Sequence, residues 1–274
     1  QAELRALTRQ ALQRAAALHP DNLGGGLKVD LQFRDAGTTA NAFALPGGKL
    51  ALVRNHELRV GKDSGGDSGG ASGLACDRID GDAPLPGGTT TLVLDATTLK
   101  LERQFRSLSG TIRNCAGGTT PWGSWLTCEE DVSKAGGQLG QDHGWVFEVP
   151  AAATGPVGPV PLKALGRFNH EAAAVDPASG MVYLTEDRDD GLLYRFIPTT
   201  AGRLAEGGTL QALVLEGIAD TRNRDGAVAI LPGQMVAGRW ITLDNPEAPD
   251  DDLRTRGAAA GAALFARGEG IWMG

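Results

Sequence analysis

The chain has 274 residues, enough for one large core or two ordinary domains, with 33 aspartates and glutamates against 26 lysines and arginines, a net charge of −7. That balance gives no electrostatic case for nucleic acid or an anionic membrane surface as a partner, and no apolar run reaches the ~18 residues that a membrane span needs. With 40 glycines, 14 prolines and no linker of domain-boundary type, residues 1–274 read as one all-β domain with many tight turns.

In chain order, "ELRALTRQALQRAAAL" at 3–18 places leucines near one helical face and predicts a short N-terminal helix, with residues 1–27 as helix and lead-in. From residue 28 the period changes to that of strands. "LKVDLQF", "NAFALPGGKLALVRNHEL" and "TTLVLDATTLKLERQF" have strand composition, and "LPGGK" and "DATTLK" read as turns that make hairpins. Between them, "GKDSGGDSGGASGLA" at 61–75 reads as a surface loop. Residues 170–198 predict a three-stranded antiparallel meander of strands 172–175, 181–185 and 192–197. A degenerate copy, "GSWLTCEED" then "HGWVFEVP", precedes it. Repeated meanders suggest a β-propeller over 28–274, because a small sheet buries both faces only by stacking on the next one.

Acids recur where apolar strands end: Glu57, Glu129 and Glu130, Glu186 and Asp187, and Glu269, with Glu171 opening a strand after His170. Converged on one axis, so many negative charges require cations. Carboxylates suit hard cations such as calcium, magnesium or ferric iron, and a thiolate adds a preference for a transition metal. Cys128, set directly before Glu129, Glu130 and Asp131, is the expected thiol. Of the three cysteines, Cys76 and Cys115 are free to pair in an oxidising compartment, and in a reducing one all three stay thiols. There is no H-E-x-x-H, no C-x-x-C, no P-loop and no G-x-S-x-G, so zinc-protease, nucleotide and serine-hydrolase readings have no support. His56, His170, Trp122, Trp125 and Arg195 read as packing or pairing groups before they read as ligands.

The motifs "NHE" (55–57), "GGTTPWGSWLTCEE" (117–130), "GRFNHEAAAVDP" (166–177), "GMVYLTEDRDDGLLYRFIP" (180–198) and "RGEGIW" (267–272), in this order, resemble the PhoX-type bacterial alkaline phosphatases. The resemblance implies a β-propeller, six-bladed in the family, that is exported by the twin-arginine route to the periplasm or beyond and hydrolyses phosphate monoesters as a monomer with ferric iron and calcium. It implies Cys128 as thiolate ligand of iron, with Glu171 and Glu186 or Asp187 supplying carboxylates. Glu57, Glu129, Glu130 and Glu269 stand in family motifs as further metal ligands, and Arg188 is the candidate for holding a phosphate oxygen. In the family, strands after "RGEGIW" add another carboxylate. This sequence stops at Gly274, so the expected propeller lacks its closing strands. Two rival readings share the scaffold: a calcium-stabilised binding module without catalysis, and a calcium-dependent lactone hydrolase.

Overall fold

The computed structural model describes residues 40–60, 74–223 and 229–273. The expected N-terminal helix, the "LKVDLQF" strand and residues 61–73 of the Gly/Ser/Asp-rich loop lie outside the described residues. Strands β1 (Ala40–Leu45) and β2 (Lys49–His56) form the first hairpin around the anticipated "LPGGK" turn. After a two-residue ladder of β3 (Arg78–Ile79) and β4 (Ala83–Pro84), β5 (Gly87–Asp95) and β6 (Leu101–Thr111) complete a four-stranded sheet in the order β1-β2-β5-β6. The β5–β6 turn forms because the Asp95 carboxylate accepts the Thr97 and Thr98 backbone N–H groups, a side-chain mimic of a backbone turn.

The second sheet holds β7 (Asn114–Thr119), β8 (Ser124–Glu129) and β9 (Val146–Pro150). The third holds β10 (His170–Val175), β11 (Val182–Glu186), β12 (Leu193–Pro198), β13 (Gly208–Leu215) and β14 (Gly238–Thr242), all antiparallel. The meander read from the sequence is therefore present and runs on by two strands. One short helix, α1 (Leu253–Ala259), was not legible in advance. The chain is all-β in character; no described strand pairs the first sheet with the third.

The second sheet is the middle layer. Its Trp125, Phe147 and Val149 pack on Val53 and Leu108 of the first sheet. Its Leu126, Cys128 and Val146 pack on Ala173, Val182, Leu184 and Tyr194 of the third. Each sheet thus buries a face only by leaning on its neighbour. The Asn55 side chain stitches the first interface, donating to the Cys115 and Ala116 carbonyls at 3.1 and 2.8 Å and accepting from Trp125 Nε1 and Thr127 Oγ1 at 2.9 and 2.8 Å. At the second interface β7 lies against β10 so closely that a Cβ on Gly118 would collide with the Ala173 carbonyl. That approach explains why β7 reads "NCAGGT" instead of an apolar alternation. Residues 263–268 return along the ends of the third sheet, where Arg267 and Gly268 donate backbone N–H groups to the Arg188 and Glu186 carbonyls.

Candidate metal centre

Adjacent residues on a strand point to opposite sides, so the paired acids at strand ends divide their roles. Glu130, just past β8, faces Glu171 of β10 and Asp187, just past β11, and single oxygens of the three lie within 4.8 Å of one another. Glu130 also belongs to a second group with Glu57, after β2, and Cys115 of β7, under the same limit. Five donors from three sheets therefore form two triads that share Glu130. Cys115 Sγ lies 3.5 Å from Glu171 Oε1 and joins the two groups.

The electrostatics are those of a site that wants cations. Burial first, then a hydrogen bond with Asp187 and the charge of Glu171, push the Glu130 carboxyl up to about 8, against the pull of the Arg113 guanidinium. Burial raises Glu171 to about 7, with the charges of Glu269, Asp187 and Glu57 adding to it and the Cys115 thiol opposing. Burial and the surrounding carboxylates also hold Cys115 as a thiol. Near neutral pH the metal-free cluster keeps protons that a bound cation would displace. The Arg113 guanidinium reaches into the group, 2.9 Å from Glu130 Oε1 and 3.4 Å from Glu57 Oε1. Asp187 Oδ1 sits 2.9 Å from Arg267 Nε.

The other expected ligands stand outside these two groups. Cys128 is fully buried in the apolar layer between the second and third sheets, where burial and the nearby Glu171 charge push its thiol well up. Glu129 is spent on the protein: its two oxygens accept from the Ile112, Gly144 and Trp145 N–H groups and from His143 Nδ1. Glu186 is fully buried and accepts from Leu192 N–H and Tyr194 O–H at 3.1 and 2.8 Å; its carboxyl rises to about 7 chiefly by burial. Glu269 is exposed, close enough to affect Glu171, and its carbonyl accepts from Thr185 Oγ1. Arg188 is half-exposed beside the cluster, donating to Asn169 Oδ1 at 3.1 Å, with its Nε unpartnered.

The remaining groups behave as packing or pairing residues. His56 is buried and neutral, between Thr90 Oγ1 and Arg106 Nη1. His170 stacks on Phe168 at 3.6 Å and meets the Gly166 carbonyl, and burial lowers its pKa to about 3. Trp122 and Trp125 donate to Glu148 and Asn55, and Arg195 lies over the Trp240 ring. All three cysteines are free. Sequence reasoning passed over Cys115 and Arg113; the glycines after Cys115, which mark a close strand approach, were the available signal.

The sheet ends of this all-β protein gather five donors, four of them buried or half-buried and Glu57 exposed, and carboxylates with one thiol suit hard cations together with a transition metal. The family follows from comparison: the model of the alkaline phosphatase PhoX family matches residues 89–274, and the chain belongs to that family. It is also similar to the solved structure of Pseudomonas fluorescens PhoX in complex with vanadate, a transition state analogue, with 21% identity and a TM-score of 0.54. That likeness covers 87% of this chain and 56% of the other, so the chain spans little more than half the length of that protein. No curated protein matches the sequence. No described helix is long and apolar enough to cross a membrane.

Proposed function

We propose that the chain hydrolyses phosphate monoesters as a metal-dependent alkaline phosphatase, with Glu57, Cys115, Glu130, Glu171 and Asp187 as the metal-holding set. The convergence of those five donors, in a chain of the PhoX family, carries the reading. It replaces Cys128 with Cys115 as the thiol ligand, because Cys128 is packed among apolar side chains and Cys115 stands among the acids. Bound there, ferric iron and calcium would act as Lewis acids that neutralise the charge of the ester. The chain's own part is to bind and orient. Glu130 and Glu171 surrender their protons as cations bind, and burial keeps water from screening the site. Arg188, held by Asn169 and half-exposed, is placed to take a phosphate oxygen with its planar fork of donors.

The neighbouring sheets are read as blades of a β-propeller, six in the family, and the protein as an exported monomer acting on small phosphate esters in the periplasm or outside the cell. Stacking of three antiparallel sheets and the likeness to PhoX support this. The test is hydrolysis of p-nitrophenyl phosphate by protein stripped with EDTA and then reloaded. Turnover that disappears on stripping and returns with iron and calcium supports the reading. Calcium-dependent stabilisation without turnover would select the binding-module rival, and turnover of lactones alone would select the lactonase.

A further inference from the structure

One buried polar chain lies behind the candidate metal centre without touching it. Asp77 accepts the backbone N–H groups of Arg78, Gly140 and Gln141, and its Oδ2 lies 3.2 Å from His143 Nε2. His143, fully buried, turns Nδ1 to Glu129 Oε1 at 2.8 Å. Both ring nitrogens face carboxylates, and only the imidazolium can donate to both. Burial opposes that charge, but the hydrogen bonds and charges of Glu129 and Asp77 carry the His143 pKa above its usual value.

Glu129 is the end of this chain nearest the cluster. Ile112 N–H at 3.0 Å and His143 share one oxygen; Gly144 and Trp145 N–H groups at 2.8 and 3.0 Å share the other. With about four lone-pair sites per carboxylate, none is left for a cation. The bond to Ile112 fixes the turn that carries Arg113, whose φ of +47° is a left-handed conformation that a non-glycine residue rarely adopts. Arg113 N–H is held by the Leu58 carbonyl. In return, the Arg113 carbonyl accepts Glu130 N–H at 3.0 Å, and its Nη1 reaches both the carbonyl and the carboxylate of Glu130. Ile112–Arg113 and Glu129–Glu130 are thus clamped against each other, and the second residue of each pair faces the metal set.

We infer that Glu129, clamped by His143, is a positioning residue that presents Glu130 and Arg113 to the cation cluster. The inference rests on the reading of that cluster as a metal site. Its test uses two amides that each keep half of the imidazole. Asn at 143 sets its N–H near the place of Nδ1 and keeps the bond to Glu129; Gln sets it near Nε2 and keeps the bond to Asp77.

Calcium is titrated calorimetrically into EDTA-stripped wild type, His143→Asn and His143→Gln, with Tm in EDTA measured alongside. Positioning through Glu129 predicts calcium affinity within about threefold of wild type for His143→Asn and a loss of about 10- to 100-fold for His143→Gln, the usual scale for partners behind a metal ligand. Equal losses, or the reverse order, would make His143 a latch on Asp77 and overturn the inference. If His143→Gln does not fold, Glu129→Gln takes its place: its NH2 must face either the Gly144 and Trp145 N–H groups or the Ile112 N–H and the His143 ring, and it too should lose at least tenfold. Wild type that binds no calcium would overturn the cluster reading and the inference with it, whereas a binding wild type with indifferent variants would overturn the inference alone.

Discussion

Gly118→Ala tests whether the contact between β7 and β10 sets the site. Gly118 has no left-handed φ to explain it, so the substitution acts through space alone. The added methyl would stand 2.7 Å from the Ala173 carbonyl carbon and closer still to its oxygen. Both obstacles are backbone in a paired strand, so no rotamer change can relieve them. Overpacking of a tight core costs about 1–3 kcal/mol, and an immovable neighbour puts this case near about 3 kcal/mol. At about 2–4 °C per kcal/mol for a domain of this size, Tm should fall by roughly 6–12 °C. The same movement separates Cys115 and Glu130 from Glu171, so the Tm gained on adding calcium should shrink as well. The assay is thermal unfolding followed by circular dichroism, in EDTA and in calcium. Gly155→Ala is the control, because nothing lies within 4 Å of a Cβ at that position. Gly118→Ala melting within about 1 °C of wild type would refute the reasoning.

Three further outcomes follow from the site. Glu130 and Glu171 have folded pKa values raised to about 8 and about 7, so the folded state binds more protons than the unfolded one. Their contribution is fully present below the ordinary carboxylate range and is lost as pH rises through those values, so Tm of stripped protein should fall from pH 5 to pH 9. A rising Tm over that window would contradict the cluster's electrostatics. Cys128→Ser buries a hydroxyl among apolar groups and should cost about 1–3 kcal/mol in urea unfolding while leaving metal content unchanged; lost metal would return Cys128 to the ligand set. Arg188→Ala should raise KM for p-nitrophenyl phosphate about tenfold or more through loss of a charged oxygen contact, and an unchanged KM would remove Arg188 from the site.

Much of the third sheet was legible because its signals are local: the Asp176 carboxylate organises the "DPASG" turn through Ala178 N–H and Ser179 Oγ, and β11 and β12 after it alternate in burial. The acids after β2, β8 and β11 were legible as a recurring position. Which acid of each pair enters the site was not, since that depends on the face each strand turns inward: Glu130 and Asp187 face the cluster, and Glu129 and Glu186 serve the protein behind it. Cys128, two residues before Glu130, packs against the third sheet and feels the charge of Glu171, but it belongs to neither group of donors within 4.8 Å. Cys115 meets Glu130 through the pairing of β7 with β8 and Glu171 through the packing of β7 on β10, and the second is a long-range contact that no local pattern encodes. The same holds for His143, which lies in the loop between β8 and β9 and reaches Asp77 across the chain.

The central claim is that Cys115, with Glu57, Glu130, Glu171 and Asp187, holds the metals. The most direct measurement is elemental iron and calcium in wild type, Cys115→Ser and Cys128→Ser, purified alike without chelator. The account predicts iron and calcium in wild type and in Cys128→Ser, and loss of iron from Cys115→Ser with its Tm in EDTA unchanged. Iron retained by Cys115→Ser and lost from Cys128→Ser, or no metal in any of the three, would contradict it.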